Sequence, residues 1–148
     1  IVINSDVIID LPLTELFNQH RKYGGIATLV LRSDPQADLY GAIETSADLR
    51  IQKFLAHEAP RSQSAGTLTK YMFTGVQVLE PKVFDYMEPA GASAKFSTTK
   101  ITYPRMLTQG EKLYAFPFRG YWQDLGTPER ITEAEEKLKR GEAKLHYL

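Results

Sequence analysis

Residues 1–32 follow the order strand, helix, strand, and this order constrains the fold more than any other feature of the sequence. Ile1–Ile3 are β-branched and apolar, as in a central parallel strand that is covered on both faces. Leu11–Tyr23 carries apolar residues at helical spacing, and Ile26–Arg32 is a second apolar, strand-like run. This order predicts a βαβ unit, with a right-handed crossover in a parallel sheet.

The helix predicted at Leu11–Tyr23 has start and stop signals. Asp10 is expected to be its N-cap, since a carboxylate accepts hydrogen bonds from the free N–H groups of a first turn. Gly24 and Gly25 end the helix, because glycine readily adopts the left-handed conformation of a C-terminal cap. The buried face is expected to hold four residues at helical spacing. These are Leu13, Leu16, Phe17 and His20.

The remaining sequence alternates between further predicted strands and helices. Strands are expected at residues 39–44, 49–55, 71–79 and 112–118, short helices at 81–87 and 99–108, and loops at 59–69 and 89–97. Thr127 and Pro128 give the last helix a clear start, because threonine caps helices and proline fits their first turn. Its expected buried stripe is Ile131, Ala134 and Leu138. The pattern as a whole predicts an α/β sandwich.

Composition and charge narrow the functional classes. Lys and Arg together number 18 and so do Asp and Glu, so the net charge is zero, which disfavours nucleic acid as the main partner. The chain has no cysteine, which excludes disulfides and thiolate metal sites. No apolar run approaches the roughly 20 residues of a membrane span, and no signal-peptide pattern opens the chain. We therefore expect a soluble cytoplasmic protein with neither membrane nor nucleic acid as partner.

The start of the chain raises the question of completeness. A length of 148 residues is about one domain's worth, yet the chain opens inside a strand-like run. A strand that is covered on both faces needs neighbours, and nothing anchors the start of Ile1–Ile3. A native terminal strand is one interpretation. The interpretation that we favour is that preceding residues are missing, so that residues 1–148 form the C-terminal part of a single domain.

Two aspartates lie at the ends of predicted elements, where ligands of open α/β sheets bind. Asp6 follows the first strand, and Asp124 lies between a predicted strand and the capped last helix. A carboxylate at such a position can hold a divalent metal, and Mg²⁺ needs few of them because water and phosphate complete its coordination. The alternative is structural, since aspartates after strands commonly cap turns. On spacing alone both interpretations stay open.

Five segments together carry a more specific signal: IVINSDVIID, YGAIE, YMFTGVQVLEPKVFDYM, YPRML and GYWQDLGTPERI, in that order. Over nearly the whole chain they resemble the sugar-1-phosphate nucleotidyltransferases, in particular the mannose-1-phosphate guanylyltransferase-like proteins. The block W-x-D-x-G-T-P-E-R, at Trp122–Arg130, is the most specific part. The resemblance implies a Rossmann-like nucleotidyltransferase sandwich with a mixed, mostly parallel sheet that is incomplete at its N-terminus. It implies transfer of a nucleotidyl group from an NTP to a sugar 1-phosphate, with GTP and mannose 1-phosphate as the best match.

The resemblance also assigns residue roles. Asp6 and Asp124 match the two catalytic aspartates that bind Mg²⁺. Gly41 matches a glycine whose backbone approaches the sugar, and Thr74 and Gly75 match a segment that contacts sugar hydroxyls. From the residues alone, a strand bulge is the alternative explanation for both glycines. The implied partners are an NTP, a sugar 1-phosphate and the missing N-terminal part of the domain.

Two departures from the family pattern bear on activity. The family's glycine-rich loop, G-G-x-G-T-R-L with a catalytic lysine, is absent from this sequence. The family motif F-x-E-K-P, whose Glu and Lys bind the sugar and its phosphate, is replaced by Phe54–Glu58, with Ala56 and His57 at the two binding positions. His57 is a weaker phosphate partner than lysine, being mostly neutral near pH 7. We expect this chain alone to be inactive.

Several alternatives stay open at this stage. One is a non-catalytic domain that binds a nucleotide sugar or acts as a regulatory or assembly subunit. Glucose 1-phosphate with UTP or dTTP is an alternative substrate pair, and the opening strand could pair with a second copy to give a homo-oligomer. A left-handed β-helix could follow Leu148, as it often does in members of the family that the sequence resembles. His20 is expected to be a satisfied, semi-buried histidine. The aromatic residues Tyr114, Phe116, Phe118, Tyr121 and Trp122 are expected to pack in the core or the sheet, and the alternative is a platform on which bases stack.

Overall fold

The structure is a computed structural model that describes residues 1–35, 37, 41–60, 66–87 and 97–146. Its strands are β1 (Val2–Ile3), β2 (Val7–Ile9), β3 (Ala27–Arg32), β4 (Ile43–Thr45), β5 (Ile51–Phe54), β6 (His57–Glu58), β7 (Thr69–Leu79), β8 (Leu113–Pro117) and β9 (Trp122–Asp124). Its helices are α1 (Leu13–Tyr23), a 3₁₀ helix (Pro81–Tyr86), a π-helix (Thr98–Thr102) that continues into α2 (Tyr103–Thr108), and α3 (Pro128–Lys139). Parts of the predicted strand 39–44 and of the loops at 59–69 and 89–97 lie outside the described residues, as does Leu148.

One large sheet organises the molecule, in the strand order β6-β5-β4-β7-β3-β8, with β1 also paired to β7. The α/β class and the mixed sheet are confirmed. The expectation of a mostly parallel sheet is wrong for the pairs described, because β3 and β8 pair in parallel and the other pairs are antiparallel. The reason is β7, which is the longest described strand and runs antiparallel to β1, β3 and β4.

The βαβ prediction is correct in that its two strands run parallel to each other, and wrong in that they are not neighbours in the sheet. Strands β1 and β3 are both antiparallel to β7, so they are parallel to each other. Gln77 of β7 faces Val2 of β1 on one edge and Leu29 of β3 on the other, so β7 lies between them. The helix α1 therefore connects two parallel strands that have an antiparallel strand inserted between them.

Along one edge of β7, the middle of the strand is not paired with a neighbouring strand. Strand β4 pairs with Thr69–Tyr71, and β1 pairs with Val76 and Gln77 on the same edge. Thr74 and Gly75 lie between these pairings. The carbonyl oxygen of Gly75 accepts a hydrogen bond from the Asn4 N–H at 2.9 Å. The middle of β7 is thus open toward a cavity on that edge.

The hydrophobic core fills both faces of the sheet, because successive residues of a strand point to opposite sides. On one face Leu16 of α1 packs in a cluster with Val30 of β3. On the other face Leu29 and Leu31 share a cluster with Tyr103 of α2. All five side chains are buried. Helices on both faces of a central sheet make the α/β sandwich that the sequence predicted.

The start of α1 differs from the prediction. The helix begins at Leu13 after Pro12, which offers no side-chain cap, and Asp10 does not cap it. The Asp10 carboxylate instead accepts a hydrogen bond from the His146 N–H at 2.9 Å and contacts the His146 ring. These contacts lower the pKa of Asp10, the backbone hydrogen bond most. Leu13 is 47% exposed, so it does not belong to the buried stripe, whereas Gly24 ends the helix in the left-handed conformation as predicted.

Helix α3 follows its prediction at the cap and on its outer face. The Thr127 hydroxyl accepts a hydrogen bond from the Arg130 N–H at 3.4 Å. Three i,i+4 ion pairs line the exposed face, between Glu133 and Lys137, Glu135 and Lys139, and Glu136 and Arg140. Ala134 is buried, but Ile131 is 44% exposed, so the predicted stripe is narrower than expected. Within the described ranges, no helix is long and apolar enough to span a membrane.

Candidate functional site

A small second sheet pairs a strand near the start of the chain with a strand that lies more than a hundred residues later. Strand β2 pairs antiparallel with β9, which places Val7 opposite Asp124. The Leu125 N–H donates to the Asp6 carbonyl oxygen at 2.7 Å, just beyond this pairing. Asp6 and Asp124 are far apart in sequence, yet the two-stranded sheet makes them neighbours. The sequence predicted each of them at an element end, but not the pairing that joins them.

Gly126 leaves room for both carboxylates. A Cβ atom at this position would lie 2.9 Å from Asp124 Oδ1 and 3.7 Å from Asp6 Oδ2, so both carboxylates face the same small space. The Gly126 N–H also donates to Asp124 Oδ1 at 2.7 Å and holds that carboxylate in place. Sequence reasoning missed Gly126, although the glycine two residues after Asp124 in the W-x-D-x-G block was the available signal.

Arg130 supplies a cation to the same place. Its Nη1 lies 2.8 Å from Asp124 Oδ2, with the arginine side chain 40% exposed and that of Asp124 37% exposed. Asp124 therefore accepts from Gly126 through one oxygen and pairs with Arg130 through the other. Sequence reasoning also missed this role. The signal was a cationic residue in the first turn of α3, where helix dipoles favour anions.

The aspartates lie at the edge of a cavity of about 400 Å³. It opens over the middle of β7, where the edge of that strand is not covered by β1 or β4. Five of the six residues singled out in the sequence line it: Asp6, Gly41, Thr74, Gly75 and Asp124. The fold thus brings together positions that span most of the chain.

Backbone conformation and close neighbours leave no room for a side chain at the two glycines of the cavity wall. Gly75 has φ +84°, and an added Cβ would lie 2.8 Å from Nδ2 of Asn4. Gly41 has φ +87°, and an added Cβ would lie 2.2 Å from a terminal methyl of Leu55. The pairing of β7 with β3 also shifts register between Phe73 and Gln77, so Gly75 lies in an irregular stretch of the strand. The irregular stretch of β7 around Gly75 therefore forms part of the cavity wall.

The side chain of Thr74 is buried within the protein, whereas the resemblance implied a segment that contacts sugar hydroxyls. Its side chain is 1% exposed, and its hydroxyl donates to the Val30 carbonyl oxygen at 2.8 Å. Its own carbonyl oxygen accepts from Trp122 Nε1 at 2.8 Å. Trp122 also lines the cavity and lies under the Arg32 guanidinium, 5.1 Å from the ring centre. Thr74 thus connects β7 to both β3 and β9 beside the cavity.

The segment that replaces F-x-E-K-P contributes Phe54 and Leu55 to the cavity wall. Leu55 adopts φ +55°, in the left-handed region that is unusual for a residue other than glycine. His57 lies on β6, opposite Phe54, and its side chain is exposed and does not line the cavity. The structure therefore does not bring His57 together with the other five residues.

Lys100 is a second cation at the cavity. It comes from the π-helix and lines the wall together with Thr99. Within the described part of the chain, its ammonium has no carboxylate partner within ion-pair distance, whereas Arg130 is paired with Asp124. The residues that line the cavity therefore include three carboxylates, those of Asp6, Asp34 and Asp124, and two cations, and among the described residues the Lys100 ammonium is the cation that no carboxylate pairs with.

The donor set is compatible with a hard divalent cation. Asp6 and Asp124 offer carboxylate oxygens on one small space, and the Arg130 guanidinium shows that a cation is accommodated beside Asp124. Two carboxylates are enough for Mg²⁺ when water and phosphate supply its other ligands. Among the residues that the structure describes, no group of three or more His, Cys, Asp or Glu side chains could hold a metal ion.

Comparison with known proteins defines the class. The fold matches the crystal structure of HddC from Yersinia pseudotuberculosis with a TM-score of 0.65 at 20% sequence identity, over 92% of this chain and 53% of that one. The architecture is a Rossmann-like nucleotidyltransferase fold. The family described as "Nucleotidyl transferase" matches residues 1–141, so the chain belongs to the nucleotidyl transferase family.

Curated relatives carry two kinds of name. A mannose-1-phosphate guanyltransferase of Pichia angusta is 34% identical over 129 residues, which are 86% of this chain and 32% of that protein. A second, from Saccharomyces cerevisiae, is 31% identical over 86% of this chain and 33% of its own length. A glucose-1-phosphate adenylyltransferase of Clostridium perfringens strain SM101 is 29% identical over 98% of this chain and 37% of its own length. The chain thus spans about a third of the relatives that it matches.

Proposed function

We propose that this cavity binds the sugar-phosphate part of a nucleotide sugar and belongs to an enzyme that transfers a nucleotidyl group to a sugar 1-phosphate. The observation that supports this is the meeting of Asp6 and Asp124 at one edge of the cavity through the β2–β9 pairing. In the reaction, a phosphate oxygen of the sugar 1-phosphate bonds to the α-phosphorus of the NTP. The bond from that phosphorus to the bridging oxygen breaks, and pyrophosphate leaves.

Within this proposal, Asp6 and Asp124 hold a divalent metal, for which Mg²⁺ is our choice. When bound, the metal neutralises charge on the reacting phosphates. Gly126 keeps the space between the carboxylates free of a side chain and fixes Asp124 through its N–H. The protein's contribution is therefore positioning and electrostatics, as phosphoryl chemistry requires.

The sugar is proposed to lie against Gly41, Thr74 and Gly75. Glycines at positive φ let the backbone approach a ligand closely, because they carry no Cβ. We propose that Lys100 takes the phosphate contact, since Lys100 lines the cavity and His57 does not. Leu55 adds an apolar wall to the same space.

GTP with mannose 1-phosphate remains our leading substrate pair. Support comes from relatives named mannose-1-phosphate guanyltransferase that are 31–34% identical to this chain. A relative named glucose-1-phosphate adenylyltransferase is 29% identical, so glucose 1-phosphate is the second candidate. We also propose that residues 1–148 alone do not turn over substrate, because they span only about a third of these enzymes.

A second candidate function is binding of a nucleotide sugar without catalysis. The observation that favours it is the β5–β6 turn, where Ala56 and the exposed His57 place no carboxylate or ammonium at the cavity. Release of pyrophosphate from GTP and mannose 1-phosphate by a longer form of the protein, one that carries a glycine-rich loop, separates the two. Turnover supports the enzyme, and binding without turnover supports the binding domain.

Isothermal titration with GDP-mannose tests the site in this chain. We expect binding in Mg²⁺ and at least roughly tenfold weaker binding in EDTA or after Asp124→Asn, which removes a charge while keeping the shape of the side chain. Glu135→Gln is the matched control, because that carboxylate pairs with Lys139 on the outer face of α3. Binding that ignores both EDTA and Asp124→Asn, in a folded chain, would overturn the proposal.

A further inference from the structure

Arg130 has a position that the proposed site does not explain. Its guanidinium pairs with Asp124 at 2.8 Å, and Arg130 itself lines the cavity. The other oxygen of Asp124 accepts from the Gly126 N–H at 2.7 Å. A proposed metal ligand is thus already satisfied by two donors of the protein's own. A cation that binds Asp124 must compete with an arginine for one of its oxygens.

Charge sets the arginine and a divalent cation against each other at this carboxylate. A divalent ion between Asp6 and Asp124 would lie close to a guanidinium that remains charged at any pH at which the protein is folded. The resulting repulsion favours movement of the arginine away from the carboxylate. The movement is sterically feasible, because the Arg130 side chain is 40% exposed and projects from the first turn of α3.

The cavity offers the arginine a second partner. A guanidinium binds phosphate through paired N–H groups, and Arg130 already lines the space in which we place the ligand's phosphates. We propose that Arg130 is a positioning residue that exchanges partners. It holds the Asp124 carboxylate when no metal is bound, and it transfers to a ligand phosphate when the divalent cation binds. This inference rests on the proposed function, since it takes the metal and phosphate of that site as given.

The exchange has a consequence for binding that a purely structural arginine would not have. If Arg130 competes with the metal, its removal strengthens metal binding to the empty chain. Its removal also weakens the cooperativity between metal binding and binding of the phosphate ligand. The reason is that the metal releases the guanidinium, which then contacts the phosphate. If Arg130 only anchors α3 to β9, its removal loosens Asp124 and weakens metal binding. The two roles therefore predict opposite signs.

Mn²⁺ binding to the 148-residue chain, followed by the EPR signal of the free ion, measures this sign. We expect Arg130→Gln to bind Mn²⁺ at least about threefold more tightly than the parent chain without ligand, and Arg130→Lys to resemble the parent. GDP-mannose should tighten Mn²⁺ binding at least about fivefold in the parent and markedly less in Arg130→Gln. Arg140→Gln is the control, because Arg140 pairs with Glu136 and Glu142 away from the cavity.

The possible outcomes separate this proposal from the proposed function. Unchanged or weaker Mn²⁺ binding by Arg130→Gln, in a series where Asp124→Asn abolishes binding, overturns the partner exchange and leaves the metal site standing. Equal Mn²⁺ binding by the parent and Asp124→Asn, or no binding by any variant, overturns the metal site and the exchange together. Thermal melting of each variant verifies that a change in Mn²⁺ affinity is not a loss of folding.

Discussion

At the scale of single residues, Gly75 links backbone strain to the shape of the cavity. Its φ of +84° strains any other residue, and a Cβ would lie 2.8 Å from Nδ2 and 2.9 Å from Cγ of Asn4. We predict that Gly75→Ala lowers the free energy of unfolding by about 1–3 kcal/mol from backbone strain alone, with a further loss from displacing Asn4. Urea denaturation measures the total.

Gly110 provides the matched control for this prediction. It has the same φ of +84°, but an added Cβ would meet no atom within 4 Å. Gly110→Ala therefore carries the backbone strain without the contact with Asn4. The difference between the two variants isolates that contact, and equal losses of stability would contradict it.

Lys100 is the residue whose proposed role is most readily separated from folding. Its side chain is exposed, so Lys100→Ala should leave the urea midpoint nearly unchanged. If the ammonium contacts a ligand phosphate, the loss should weaken GDP-mannose binding by about 1.5 kcal/mol or more, which is roughly tenfold. Titration calorimetry at two salt concentrations measures the effect.

Lys139→Ala removes another exposed lysine, from the outer face of α3, where it pairs with Glu135. It should leave GDP-mannose binding unchanged, which separates a specific contact from a change in net charge. Equal binding by Lys100→Ala and the parent chain would count against the phosphate contact.

At the scale of elements, His20 connects α1 to the sheet. The residue is 4% exposed, with Nδ1 2.8 Å from Thr28 Oγ1 and Nε2 3.0 Å from Glu80 Oε1. The sequence predicted a satisfied, semi-buried histidine. The two partners confirm that the ring is satisfied, and the residue is more deeply buried than predicted. We predict that Thr28→Val, which keeps the shape and removes the hydroxyl, costs about 1–3 kcal/mol of unfolding free energy, because a buried ring nitrogen loses its partner.

Thr132→Val is the comparison for that measurement, since its hydroxyl bonds to Pro128 on the exposed side of α3. It should change stability by less than about 0.5 kcal/mol in the same urea titration. A Thr28→Val variant as stable as Thr132→Val would show that the contact between His20 and Thr28 does not stabilise the attachment of α1.

Elements were predictable from local patterns, whereas their arrangement was not. The periodicity of α1 and the cap at Thr127 are local, and both helices formed near the expected residues. The insertion of β7 between β1 and β3 depends on pairing across the chain, which apolar periodicity does not encode. The same limit applies to the site. Asp6 and Asp124 could be identified from their positions at element ends, but the pairing of Arg130 with Asp124 became visible only in the three-dimensional structure.

At the scale of the whole molecule, one carboxylate contributes to acid sensitivity in a predictable direction. Glu111 accepts a hydrogen bond from Lys82 Nζ at 2.6 Å and another from the Tyr86 hydroxyl, joining the 3₁₀ helix to the start of β8. The Lys82 hydrogen bond, followed by that of Tyr86, lowers the pKa of Glu111 below its ordinary 4.5. A lowered folded pKa stabilises the protein above pH 4.5, and this contribution is lost as pH falls toward the folded value.

We predict that Glu111→Gln lowers the melting temperature at pH 7 and that its difference from the parent shrinks below about pH 4.5. Glu135→Gln, which removes an exposed carboxylate from α3, serves as control and should show little difference at either pH. Melting curves between pH 3 and pH 7 measure both. A Glu111→Gln deficit that stays constant across this range would contradict the assigned cause.

The edge of the sheet at β1 is where we expect the whole molecule to associate with a further strand. Val2 and Ile3 are each 47% exposed although they point to opposite faces, and β1 is paired along one edge to β7 in the described part of the chain. An apolar edge without a charged residue is a template for a further strand. The expected occupants are a preceding segment of a longer protein or a second copy of this chain, and both would use the same backbone groups.

We predict that the 148-residue chain self-associates with rising concentration and that Val2→Lys reduces this, because a charge on an edge strand opposes pairing. Light scattering over a concentration series measures the effect. Phe84→Lys is the control, since Phe84 is 69% exposed but lies in the 3₁₀ helix and not on a strand edge. If both variants reduce association equally, general apolar exposure and not edge pairing is the cause. If the parent stays monomeric throughout, a second copy does not occupy this edge, and a segment of a longer protein is the remaining candidate.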